Sequence, residues 1–160
     1  MTDPRPVCTE KTQDIIKTLR SNVQVEAALE LAVKQQEKRI ADQIILTETP
    51  APPFHEEERA KVLLGMFKQY GLTDVIGRRK GTGNGPTLVV GAHIDTVFPA
   101  GTDCKVHRDG DVYSAPGISD DAAGLASMLQ VIRCLNENNI ETVGDIVFVG
   151  TLGEEGNGDL

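Results

Sequence analysis

The chain has 160 residues, with 24 acids against 16 bases, a net charge of −8, 39% hydrophobic residues and 25% charged ones. That length and balance describe one folded domain with a real core, and the lack of any basic run argues against nucleic acid as a partner. No apolar stretch reaches the roughly 20 residues that a bilayer requires, and no signal-like segment opens the chain, so a membrane location is not expected.

The three cysteines, Cys8, Cys104 and Cys134, are odd in number and far apart. This fits reduced thiols and a cytoplasmic setting better than a disulfide framework. Residues 1–22 mix Pro, Thr, Lys and Asp around a brief apolar patch at Ile15, Ile16 and Leu19, and read as a loosely held arm with room for one short helix. From Val23 to Thr47 the apolar residues Val25, Leu29, Ala32, Val33, Ile40 and Ile44 recur at near-helical spacing, which predicts one long amphipathic helix. Pro50, Pro52 and Pro53 end it and impose an extended connector, with His55 in the loop beyond. Glu56, Glu57 and Glu58 open a second helix, with Ala60, Leu63, Leu64, Phe67 and Tyr70 on its buried face and Gly71 as its stop. The helix dipole accounts for the three glutamates.

After Gly71 the pattern changes to strands and turns. Asp74 to Arg79 reads as a strand, and Gly81 to Pro86 as a hairpin-type loop. Its glycines do not make a phosphate loop, because no helix follows and no Lys-Ser/Thr ends it. Thr87 to Gly91 is a continuous apolar run, as expected of a strand buried on both faces, and it delivers His93 and Asp95 at its C-terminal end. Lys105 to His107, a turn at Asp109-Gly110, and Val112-Tyr113 predict a hairpin with His107 facing solvent. Asp120 and Asp121 then open a helix whose residues Leu125, Met128, Leu129, Ile132 and Leu135 share one face. A second apolar strand, Asp145 to Leu152, ends at Gly153-Glu154-Glu155-Gly156. Strand, helix, strand with short loops implies a right-handed parallel crossover. The fold class is therefore α/β, a mostly parallel central sheet flanked by helices.

Ligands in open α/β sheets gather at the C-terminal ends of the strands. Both apolar strands end in chemistry there, His93 and Asp95 on one and Glu154 and Glu155 on the other, while Asp120 and Asp121 start the intervening helix on the same rim. Each piece has an ordinary explanation. Asp is a preferred N-cap, though one suffices and the second is surplus; His93 could be a hydrogen-bonded rim residue, Asp95 a turn former, and Glu154-Glu155 a solvated loop. Their joint arrival is harder to explain that way. So much like charge raises pKa values and opposes folding unless divalent cations compensate it, and an imidazole among carboxylates is a normal zinc environment.

Gly91-Ala92-His93-Ile94-Asp95-Thr96-Val97, Ala115-Pro116-Gly117-Ile118-Ser119-Asp120-Asp121 and Thr151-Leu152-Gly153-Glu154-Glu155-Gly156 resemble the three signature segments of a metallopeptidase superfamily. This group contains peptidase T, carboxypeptidase G, aminoacylase, acetylornithine deacetylase and succinyl-diaminopimelate desuccinylase. The likeness runs in order over residues 24 to 160 and implies a zinc exopeptidase-like catalytic domain. It implies that His93 binds one metal, Asp120 bridges two, Glu155 binds the second, Glu154 is the general base, and Asp95 orients His93. The implied cofactors are two divalent metal ions, zinc first, with cobalt or manganese as alternatives. The implied substrate is a small peptide or an N-acyl amino acid, and the reaction is amide hydrolysis. The chemistry agrees: a ligating imidazole normally donates its other N–H to a carboxylate, and a carboxylate beside the metals can move the water's proton to the leaving nitrogen.

Many relatives in this group carry a Lys two residues after the bridging Asp, where this chain has Ala122; that favours a peptidase T-like branch over the carboxypeptidase and deacetylase branches. They also run to more than twice this length, with a further acidic ligand, a late His and an inserted dimerising domain. Residues 23–160 are accordingly expected to be the N-terminal portion of a catalytic domain. The full-length relative is expected to be a homodimer, and the isolated chain a weak metal binder with little turnover. Two other readings stand beside this one. The first is the related zinc aminopeptidase group, with a similar Asp-Asp and Glu-Glu arrangement; Thr96 to Pro99 and Gly158-Asp159-Leu160 favour the superfamily above. The second is a non-catalytic module that binds a partner through an exposed sheet edge. A dinucleotide-binding domain is weak, because no Gly-x-Gly-x-x-Gly joins a strand to a helix.

Overall fold

A computed structural model describes residues 8–156. The first seven residues of the arm, and Gly158-Asp159-Leu160, lie outside the described residues. Helix α1, Glu10–Arg20, is capped by Thr9, whose Oγ1 accepts the Thr12 N–H at 3.2 Å, and it buries none of its residues. Helix α2, Val23–Lys34, starts at Asn22, whose Oδ1 accepts the N–H groups of Gln24 and Val25. Helix α3 follows immediately as Gln36–Glu48. The single helix expected over Val23 to Thr47 is thus two, hinged at Gln35 (φ −96°, ψ 18°).

The reason lies in what both halves pack against. Helix α5, Ala122–Glu137, has 16 residues and spans about 24 Å. A straight helix through α2 and α3 would overrun it. Bending at Gln35 keeps both halves on α5, and the Gln35 amide donates to both carboxylate oxygens of Glu137 at 3.2 and 3.0 Å. Helix α4, Glu57–Lys68, ends as expected: Gly71 lies in the left-handed region (φ 80°), and the Leu72→Phe67 and Gly71→Lys68 backbone bonds close a Schellman motif.

The central sheet has three strands, β1 Ile76–Arg79, β2 Leu88–His93 and β5 Ile146–Thr151, in the order β1-β5-β2. Strands β2 and β5 are parallel, joined through α5 by the expected crossover, while β1 runs antiparallel to β5, so the sheet is mixed. Since β1 and β2 flank β5 on opposite sides, Gly81 to Pro86 is not a hairpin. It crosses the start of β5, and Thr82 and Gly83 donate to the carbonyls of Thr142 and Val143 at 2.9 Å. The hairpin expected near Asp109-Gly110 forms from β3, His107–Asp109, and β4, Val112–Ser114.

The core lies on one face of the sheet. Leu63 and Phe67 of α4, Leu125, Leu129 and Ile132 of α5, Ala92, Ile146 and Phe148 of the strands, and Ile94 just past β2 are buried together, each large side chain contributing about 1.5–3 kcal/mol. The alternate residues point the other way. Ile76 is 60% exposed and Val89 63%, Val147 and Val149 are only partly buried, and none of the four joins the core. The expectation that Thr87 to Gly91 is buried on both faces therefore fails: the helices cover one face, and β2 is an edge strand. No described helix is long and apolar enough to cross a membrane.

Candidate metal centre

Strand β2 carries His93 to its C-terminal end, where Ile94 still donates to Thr151 of β5 at 2.8 Å. The backbone then turns inward. Asp95 is fully buried, and Thr96 is tied back to the Ala51 carbonyl at 3.0 Å. The loop before α5 passes through Gly117 (φ 72°), with the Ile118 carbonyl held by the Gln43 amide at 2.7 Å. Asp120 and Asp121 then divide the work. Asp121 is the cap of α5: its Oδ1 accepts the Gly124 N–H at 2.9 Å and its Oδ2 the His93 N–H at 3.1 Å, so it ties the start of α5 to the end of β2. Asp120, with a side chain 73% exposed, is left free to face the imidazole.

At the rim of β5, the chain turns through Gly153 (φ 71°) and presents Glu154 and Glu155. One ligand atom from each of His93, Glu154 and Glu155 lies within 4.8 Å of the others. Asp120 joins them through His93, its Oδ1 lying 2.8 Å from Nε2. Asp95 sits beneath. Its Oδ2 accepts the Glu155 N–H at 2.8 Å, and its Oδ1 is 3.6 Å from His93 Nδ1 and has no hydrogen-bond partner. The nearer acceptor for Nδ1 is the Asp95 carbonyl, at 3.0 Å. Asp95 thus holds the ring through its backbone and fixes the Glu155 backbone through its carboxylate.

The donor set fits a cation. Nδ1 of His93 faces a carbonyl, which only accepts, so it carries the proton. Nε2 faces a carboxylate, which also only accepts. The ring must therefore be doubly protonated, or hold a metal on Nε2 beside Asp120. The electrostatics repeat this conflict. Burial lowers the His93 pKa, but the hydrogen bond to Asp120 and the charges of Asp121 and Asp95 outweigh it and leave the pKa above its ordinary value. Glu155 is also pushed up, by desolvation first and then by the charges of Asp120, Glu154 and Asp95, against the opposing pull of His93. Both shifts favour the protonated forms, and a divalent ion held by these groups would compete with protons for the same atoms.

Residues 74–157 match the sequence profile of peptidase family M28. The chain belongs to this family. It is also 33% identical over 138 residues to the uncharacterized protein YqjE of Bacillus subtilis, covering 74% of this chain and 37% of that one. Carboxypeptidase G2 of Pseudomonas sp. is 33% identical over 84 residues, 51% of this chain and 20% of that protein. The crystal structure of aminopeptidase PepT from Bacillus cereus superposes with a TM-score of 0.64 at 31% identity, covering 75% of this chain and 37% of the enzyme. The resemblance drawn from the three signature segments is thus borne out. The chain spans well under half the length of each of these relatives.

Two residues at this M28 site were not anticipated as part of it. Arg59 directly follows the three glutamates that the helix dipole explains and drew no reading of its own, yet it is fully buried under the His93–Asp95 turn. Its position was readable, because Arg59, Leu63 and Phe67 fall on one stripe at intervals of four. Gln43, which holds the loop before Asp120, lies on α3, and nothing in its local pattern points to that partner.

Proposed function

We propose that this chain carries metal-binding and proton-transfer groups of an amide hydrolase acting on a small peptide or an N-acyl amino acid, with a peptidase T-like exopeptidase favoured. The observation that carries the reading is the His93 ring held between two acceptors, with its Nε2 2.8 Å from Asp120 and Glu154 and Glu155 alongside. In this reading His93 and Asp120 hold one divalent ion and Asp120 and Glu155 a second. Zinc suits the set best, and cobalt or manganese would also be accepted. Bound there, such ions would polarise the scissile carbonyl and acidify water. Glu154, which is exposed, takes the proton from the attacking water and returns it to the leaving nitrogen. Asp95 keeps His93 Nδ1 protonated, so that Nε2 presents its lone pair. The superfamily likeness supports a homodimer for the longer relatives, and the three free cysteines support a cytoplasmic setting.

Calorimetric titration with zinc chloride tests this. The wild-type chain is expected to bind zinc and His93→Ala to bind at least tenfold more weakly. Absence of binding by the wild type, or binding indifferent to His93→Ala, would overturn the hydrolase reading and favour a non-catalytic module.

A further inference from the structure

Arg59 and Arg133 are the largest fully buried side chains among the described residues, and no described carboxylate accepts a hydrogen bond from Arg59. Its Nε donates to the Thr49 carbonyl at 2.8 Å, just beyond α3, and one terminal nitrogen donates to the Ile94 carbonyl, also at 2.8 Å. The other terminal nitrogen is buried without a partner. Burying an arginine that makes only two backbone bonds costs more than those bonds return, unless the position does something else. Ile94 is the residue between His93 and Asp95. Its N–H is tied to Thr151 and its carbonyl to Arg59, so the turn that aims the imidazole is gripped from the sheet on one side and from α4 on the other. The guanidinium charge also acts on Asp95, whose own Oδ1 is buried and unbonded.

We propose that Arg59 is a positioning residue for the metal centre: its planar fork fixes the Ile94 carbonyl against α4 and so sets the angle at which His93 and Asp95 are presented. This rests on the metal reading above. A lysine keeps the charge but offers donors from a single point, which cannot reach the Thr49 and Ile94 carbonyls together as the fork does.

The test is titration of the full chain with Co²⁺, followed by visible absorption, in wild type, Arg59→Lys, Arg59→Gln and Arg59→Met, scoring those variants that keep the wild-type far-ultraviolet circular dichroism. Arg133→Lys serves as the control, because Arg133 is equally buried but bonds Asp42 and Gln130, away from the centre. We expect every folded Arg59 variant to bind Co²⁺ 10- to 100-fold more weakly with an altered spectrum, the size typical of losing a group that orients a ligand. The control should lose thermal stability with its affinity unchanged. Folded Arg59 variants that bind within twofold of wild type, with the same spectrum, would overturn the proposal whatever their melting temperature. A wild-type chain that does not bind Co²⁺ would instead sink the metal reading itself.

Discussion

A side chain at position 124 would collide with the cap that organises the site. A methyl added to Gly124 would lie 2.6 Å from Asp121 Cγ, closer than real contacts allow. Alanine is favoured over glycine inside a helix by about 1 kcal/mol, and a capping bond is worth about the same. The collision decides between them. Gly124→Ala is therefore expected to destabilise the chain by roughly 1–2 kcal/mol in urea denaturation, where propensity alone would predict a gain. It should also loosen His93, whose N–H shares the Asp121 carboxylate. An unchanged or raised midpoint would contradict this account of the cap. At this scale the sequence was most readable where chemistry sits at the end of an element. His93 ends a strand, Glu154 and Glu155 follow one and Asp120 precedes a helix, so topology alone brought them to one rim. The split between Asp120 and Asp121 was not readable. Both suit a helix start, and only the position of the His93 N–H shows which one is occupied.

Among the elements, the start of β5 is held by one carboxylate. Asp145 Oδ1 accepts the Gly81 N–H at 2.9 Å, while Oδ2 faces Arg78 and Lys80 at 3.2 and 3.3 Å. The backbone bond first, and then Lys80 and Arg78, hold its pKa below the ordinary carboxylate range. Unfolded, the same carboxyl takes up its proton near pH 3.9. The folded chain holds that proton less tightly, so the stabilisation is complete above about pH 4 and is lost as pH falls through the lower folded value. Replacing Asp145 with Asn should lower the melting temperature at neutral pH and flatten its fall between about pH 4 and 2, a difference that thermal scans across that range would show. Equal slopes in the two proteins would remove Asp145 from the account. Helices and the crossover were legible because apolar periodicity dictates them locally. The break at Gln35 was not, because it answers to the length of α5, a distant partner. Nor was the pairing of β1 with β5, since the glycines from Gly81 to Gly85 read equally well as a tight turn.

The whole molecule is lopsided. One face of its sheet is packed under α4 and α5, while Ile76, Val89, Val147 and Val149 lie on the other with no layer above them among the described residues. The apolar runs suggested strands buried on both faces, but the second face has no cover among the described residues. Strand β2 adds an edge with neither charge nor proline between Leu88 and Ala92, so it lacks the usual devices against pairing with other chains. Sedimentation at rising concentration is expected to show self-association, and Val89→Lys to reduce it severalfold while leaving zinc affinity unchanged. A strictly monomeric wild type would show that the open face is tolerated in water.

The tether between Asp121 and the His93 backbone has a temporal consequence. The imidazole's strand is held by the start of α5 on one side and by β5 on the other, so its fixed position needs both later elements in place. The proposed donor set is therefore completed last by the two glutamates that follow β5, the final element to take its place beside β2.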